Sequence, residues 1–184
     1  MKIIKIIFYI ILISLNNIKP SIGDDFSSWI ISFKEYAIKQ GVSKKTLEAT
    51  MSKVKFLPDV IKYDRYQPEF YEDTNTYITK RTSQKKITNG KNLFIKNSSL
   101  IVDIEKKFDV EKELLLSLMG IETNFGKYLG KMDILSSLAT LSFDKRRSDF
   151  FTKELITILK LIDSGVVDSD VLYGSWAGAF GNFQ

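Results

Sequence analysis

Prolines stand only at positions 20, 58 and 68 of this 184-residue chain, and none follows Pro68 as far as Gln184. Proline removes a backbone donor and clashes with the preceding turn, so a chain this free of it can run as helix over long stretches. The ten glycines leave most of those stretches unbroken. Apolar spacing agrees with this. Phe26, Trp29, Ile30, Phe33 and Ala37 recur at helical intervals. Gly41 is placed to close that helix in a left-handed conformation, and Ser43 to cap a second one carrying Leu47, Met51 and Val54. Further helices are expected over Thr74–Lys107, interrupted near Asn89-Gly90, then over Glu111–Glu122, Ile134–Phe143 and Arg147–Ile162, the last ended by Gly165. Pro58 and Pro68 favour extended residues before them, so Phe56–Pro68 reads as a linker or an ordered loop crossing the domain. The fold class expected is all-α, without internal repeats or low-complexity tracts.

The amino terminus has the order of an export signal. Lys2 and Lys5 precede the apolar run Ile6–Leu15, and Ser21-Ile22-Gly23 offers small residues for a signal peptidase. The run is short for a membrane span of about 20 residues, so cleavage after Gly23 is expected. Without residues 1–23 the chain keeps 24 cations and 22 acids, and the net charge falls from +5 to +2. A surplus that small, with no clustered basic stripe, argues against a nucleic-acid partner.

Two missing residue types remove many chemistries. Without Cys there is no disulfide, thiolate nucleophile, Cys-ligated zinc or lipid-anchoring cysteine. Without His there is no Ser-His-Asp or Cys-His catalysis. An enzyme built from this chain works with carboxylates, hydroxyls, amides, Lys, Arg or Tyr, which points to glycoside or phosphate chemistry.

Glu122 is the candidate acid. It stands four residues after Leu118 and seven after Leu115, which places it on the face those leucines would turn to the core. A carboxyl group buried there is favoured in its protonated form, as a general acid near neutral pH requires. A partly exposed acid at a helix end, paired with a Lys or Arg, is the alternative. The segment Gly126–Lys131 has one residue too few between its glycines for a phosphate loop, and Met132 follows the lysine where a hydroxyl is needed. Gly174, Gly178 and Gly181 mark either close backbone packing or a glycine-lined groove facing a sugar chain. Lys145-Arg146-Arg147 beside Asp144 reads as a solvated helix start. Trp29, Phe33, Tyr63 and Tyr66 are core aromatics or sugar-stacking rings.

Several separated runs resemble one family. Tyr63-Asp64-Arg65-Tyr66-Gln67-Pro68-Glu69-Phe70, Met119-Gly120-Ile121-Glu122-Thr123-Asn124-Phe125-Gly126, Leu138-Ala139-Thr140-Leu141-Ser142-Phe143-Asp144 with Arg146-Arg147, and Gly174-Ser175-Trp176-Ala177-Gly178-Ala179-Phe180-Gly181 with Gln184 occur in order and at matching spacing. Together they resemble the family of membrane-bound lytic murein transglycosylase B. The resemblance implies a lysozyme-like, helical catalytic domain over residues 24–184, preceded within it by a smaller helical region. It implies non-hydrolytic cleavage of the MurNAc-β-1,4-GlcNAc bond of peptidoglycan, leaving 1,6-anhydro-MurNAc ends. Glu122 matches the catalytic acid/base, while Ser175 and Gln184 match positions lining the glycan groove. No cofactor and no metal is expected, the location expected is the periplasm, and weak membrane association is compatible with it. Family domains continue beyond the position of Gln184 with a Phe-Met-Pro-Ser-like run, so the carboxyl-terminal part is expected to be missing here and apolar surface to be left uncovered. A glycan-binding fragment without turnover and a hydrolytic lysozyme are the competing expectations.

Overall fold

A computed structural model describes residues 22–182. The expected export signal therefore lies outside the described residues, apart from Ile22 and Gly23, and so does Gln184. The first helix, α1 (Ile22–Lys39), turns Phe26, Phe33 and Ala37 inward and ends at Gly41, whose φ of 92° closes it as expected. Ser43 caps α2 (Lys44–Met51) by accepting from the Thr46 N–H at 3.2 Å. Asp163, at the far end of the chain, accepts from the hydroxyls of both Ser43 and Thr46 and ties the start of α2 to the end of the last helix.

The segment read as a linker holds a helix instead. Helix α3 (Pro58–Arg65) starts on its proline, which costs nothing at a first helical position because that N–H has no partner anyway. Asp59 at its start and Lys62 and Arg65 at its end suit the helix dipole. Thr74–Lys107 likewise differs from expectation. It forms three helices, α4 (Thr74–Arg81), α5 (Gln84–Lys96) and α6 (Ser98–Phe108), and α5 runs unbroken through Asn89-Gly90. Asp73 caps the first of them, and the breaks fall where Ser83 caps the backbone and at Asn97. Helix α7 (Lys112–Thr123) follows and packs against α5 and α6.

A two-residue strand β1 (Met132–Asp133) pairs antiparallel with β2 (Tyr173–Gly174), Met132 opposite Gly174. Asp133 then caps α8 (Ile134–Phe143) at Ser136. Every residue of α8 from Ile134 to Ser142 is buried, so this helix is the axis of the core. Its hydroxyls serve the chain beside it: Ser136 and Thr140 accept from the Lys55 and Leu57 N–H groups, both at 3.0 Å. An extended segment against a buried helix needs such partners for its backbone. Helix α9 (Ser148–Asp163) packs along α8 and α2 with Phe151, Leu155 and Leu159 buried.

The core is thus made by α1, α2, α3, α8 and α9. Phe26, Trp29, Phe33, Phe56 and Phe143 form one aromatic cluster within it, Phe26 standing edge-on to Phe143 at 5.4 Å. Trp29 and Phe33 are therefore core residues. Tyr63 and Tyr66 are exposed, and Tyr66 stacks on Tyr71 at 4.6 Å.

Candidate active site

Asp64 is 1% exposed, and a carboxylate that deep needs charged partners. Arg146 donates to it at 2.7 Å and Arg147 donates to its other oxygen, while Arg65 pairs with Asp144 at 2.7 Å. The cluster does open α9 and Lys145 and Arg146 are exposed, as a solvated helix start would be, but Arg146 and Arg147 also neutralise Asp64. It clamps the α8–α9 turn onto the end of α3, and two of the four sequence runs meet through it.

The other two meet at the end of α7. Asn124, Phe125 and Gly126 all adopt positive φ, at 49°, 60° and 78°. Such a run is unfavourable by about 1–2 kcal/mol per non-glycine residue and persists only where the surroundings impose it. Here the Phe125 N–H donates to the Met119 carbonyl at 2.8 Å and the Tyr128 N–H to that of Thr123 at 2.9 Å. The Phe125 ring folds back over two glycines: a Cβ on Gly120 would lie 2.9 Å from its Cζ, and one on Gly90 3.1 Å. This is why α5 tolerates a glycine in mid-helix. The ring holds α5 and α7 together and fixes the turn just past Glu122.

Thr123 is fully buried and joins this turn to the glycine-rich loop. Its hydroxyl donates to the Asn182 carbonyl at 2.9 Å and accepts from the Gly126 N–H at 3.0 Å. In the loop, the Ser175 N–H donates to the Ala179 carbonyl at 2.8 Å, and the Ser175 hydroxyl accepts from the Ala179 N–H at 3.1 Å. Close packing of the glycines is real at two positions. A Cβ on Gly174 would collide with the Ala179 carbonyl, and one on Gly178 would lie 2.5 Å from Leu138. Gly178, at φ 89°, is also in a conformation that side chains resist. Gly181 has nothing within 4 Å of such a Cβ.

Glu122 itself is exposed, contrary to the expected burial, and Leu118 on its face is 41% exposed. Helix α7 is apolar on several sides, so spacing alone does not select the buried one. Contacts do: Gly120 and Thr123 are its buried residues, turned to Phe125 and the glycine loop, and Glu122 is left pointing outward. Among the described residues no hydrogen bond or ion pair engages its carboxylate. Ser175 is half-buried in the loop that Thr123 tethers to the same helix end. Between α9 and that loop a cleft of about 500 Å³ is lined by Gln67, Arg147, Phe150, Glu154, Trp176 and Phe180 among others. Sequence reasoning had not singled out Thr123, Phe125 and Asn182 as the residues that build this corner. Among the described residues no group of three acidic side chains converges to hold a metal ion.

The domain is helical with a lysozyme-like architecture, and Glu122 stands exposed at the end of α7. Residues 25–184 match the transglycosylase SLT domain, and the chain belongs to that family. It is 41% identical over 78 residues to membrane-bound lytic murein transglycosylase B of Escherichia coli K12, a stretch covering 42% of this chain and 22% of that protein. Its fold matches that of SltB3 from Pseudomonas aeruginosa, solved in complex with NAG-NAM-pentapeptide and with NAG-anhNAM-pentapeptide, with a TM-score of 0.79 and 28% identity. That match covers 86% of this chain and 42% of SltB3. The Escherichia coli lytic transglycosylase Slt35, solved in complex with bulgecin A, matches with a TM-score of 0.70 and 28% identity over 87% of this chain and 50% of its own. The chain thus spans half or less of these relatives.

Proposed function

We propose that this chain carries the acid/base centre of a peptidoglycan lytic transglycosylase, with Glu122 as its catalytic residue. The observation that carries the reading is the corner at the end of α7, where Phe125, Thr123 and Asn182 fix the turn just past Glu122, whose carboxylate is exposed and has no partner among the described residues. In protonated form Glu122 gives its proton to the glycosidic oxygen as the bond to C1 of MurNAc breaks. The substrate's N-acetyl group supports C1 while its own C6 hydroxyl attacks, and the Glu122 carboxylate takes that hydroxyl's proton. The product is a 1,6-anhydro ring and a free GlcNAc hydroxyl, with no water consumed. One carboxylate suffices because the nucleophile is held within the substrate. Ser175 and Gln184 are assigned to positioning the glycan, and the aromatic and polar side chains of the cleft beside Trp176 suit sugar faces and hydroxyls. The setting proposed is the periplasm, reached through the signal at residues 1–23.

The exposure of Glu122 favours one second reading, a domain that binds glycan strands without turning them over. Mass spectrometry of purified peptidoglycan incubated with the chain and with Glu122→Gln separates the two. Anhydro-muropeptides from the wild type and none from the variant are the expected result. Reducing-end products would make the chain a hydrolytic lysozyme, and binding without products would leave the second reading.

A further inference from the structure

Thr123 uses its hydroxyl in an uncommon way for a helical threonine. The usual acceptor inside a helix is the carbonyl four residues back. Here that is Met119, whose carbonyl lies 3.5 Å away and already takes the Phe125 N–H at 2.8 Å. The hydroxyl proton goes instead to the Asn182 carbonyl at 2.9 Å, 59 residues along the chain, while its oxygen accepts the Gly126 N–H at 3.0 Å. Thr123 itself is fully buried, where a hydroxyl without its partners is costly. Two glycines of the turn that follows Glu122 meet the same loop at its two ends. A Cβ on Gly126 would lie 2.8 Å from the Asn182 Oδ1, and one on Gly130 would run into the Gly174 carbonyl. The turn 124–130 and the loop 174–182, which carries Ser175, are therefore held in one register. The Thr123 hydroxyl, next in sequence to Glu122, is a polar tie between them.

A glutamate that gives a proton to the glycosidic oxygen and then takes one from the C6 hydroxyl must stand within hydrogen-bond reach of both. A misplacement of about 1 Å can cost about a hundredfold in rate. The exposed Glu122 carboxylate has no partner of its own among the described residues, so the backbone beneath it sets where it can reach. Tying Thr123 to the loop fixes that backbone against the segment that holds Ser175. Such a tie acts on the reacting geometry and leaves the glycan's own contacts in place. We propose, on the reading of Glu122 as the acid, that Thr123 is a positioning residue: its hydroxyl sets the register between Glu122 and the glycine loop and so places the acid against the bond to be cut.

Three variants test this, with soluble, uncrosslinked peptidoglycan strands as substrate and anhydro-muropeptide release as the signal. Thr123→Val keeps the shape of the side chain and loses the hydroxyl. It is expected to lower kcat at least about tenfold while KM moves less than about twofold, because the glycan's contacts are untouched. Thr123→Ser restores the hydroxyl and is expected to return kcat to within about threefold of the wild type. Thr50→Val removes another buried hydroxyl, which donates to the Thr46 carbonyl at 2.7 Å in the core, and is expected to leave kcat unchanged. Circular dichroism checks that each variant is folded. Where Thr123→Val is not, Thr123→Cys takes its place, with a thiol that hydrogen-bonds weakly, and the same fall in kcat is expected. An active wild type whose kcat Thr123→Val leaves intact overturns the positioning role and spares Glu122. So does a kcat that Thr123→Ser fails to restore, or a fall matched by Thr50→Val, which would put the effect down to lost stability. A wild type that releases no anhydro-muropeptides removes the acid/base reading and this role with it.

Discussion

The helices α1–α3, α8 and α9 and the helices α4–α7 differ in what holds them. The first group supplies most of the hydrophobic core, which Val42 and Leu172 complete from connecting segments, with Phe151, Leu155 and Leu159 of α9 at 1% exposure or less. In the second, α4 and α5 have no buried residue, α6 has Ile101, and α7 has Gly120 and Thr123. Each group has two helices capped by a side chain, at Ser43 and Asp133 in the first and at Asp73 and Ser83 in the second. Caps and propensity are therefore enough to set helix ends, while burial decides which helices are firmly held, because isolated helices of this length are marginal in water. Glu122 sits on the less buried group and is tied to the firm one through Thr123 and the glycine loop.

Truncating one phenylalanine in each group is the strongest way to break this comparison. Phe151→Ala is expected to cost about 3–5 kcal/mol, as for a fully buried aromatic. Phe94→Ala, half-buried on α5, is expected to cost about 1 kcal/mol. Urea denaturation followed by circular dichroism measures both, and equal costs would mean that α5 is as firmly packed as α9.

Ion pairs sharpen the same contrast. Arg147→Ala leaves the deeply buried Asp64 with one partner fewer and uncovers the Phe151 ring, over which the guanidinium sits at 4.8 Å. A loss of about 3 kcal/mol is expected, as for a broken buried pair. Lys80→Ala removes a partner of Glu72 on the surface, where solvent screening leaves such pairs little effect on stability. Comparable midpoints for the two variants in a thermal melt would show that the Asp64 clamp is no more than a surface contact.

How much of this the sequence made legible follows from the range of each signal. Gly41, Ser43, Gly165 and the apolar stripes of α1, α8 and α9 act over a few residues; α8 and α9 lie within a residue of where they are expected, while α2 ends at Met51 and leaves Val54 outside it. Helix α3 was hidden because Pro58 was read as a breaker, although a proline is also a start signal at a first helical position. Ser83 was a visible cap inside the supposed long helix, but Asn89-Gly90 was the more conspicuous interruption. Gly90 is instead explained by the Phe125 ring, 35 residues further along. The Asp64 clamp and the Thr123–Asn182 tie join residues 82 and 59 positions apart, and no local pattern announces such partners. The outward turn of Glu122 was missed for the same reason: an apolar helix is oriented by what packs on it.

Acid is the mildest probe of the difference between the two groups. Four carboxyl groups are held below their ordinary range by hydrogen bonds. Glu72 is lowered chiefly by Lys80, Asp73 by the Thr76 hydroxyl, Glu105 by the Lys112 N–H, and Asp163 by the Ser43 hydroxyl. A carboxyl group whose folded pKa is depressed adds stability that is fully present above its unfolded value and is lost as pH falls through its folded value. Glu72, Asp73 and Glu105 belong to the α4–α7 side, where little burial offsets the loss, and only Asp163 belongs to the core side. Acidification from neutral to below about pH 4, the unfolded carboxylate range, is therefore expected to loosen α4–α7 first. Trp29 and Trp176 both pack against the core cluster, so their fluorescence reports chiefly on the firm group, Trp176 also on the glycine loop. In an acid titration the far-UV helix signal is expected to decline before tryptophan emission shifts, and Asp163→Asn is expected to change the second transition more than the first. If the two signals fall together, the groups unfold as one unit and the Thr123 tie couples them more tightly than their burial implies.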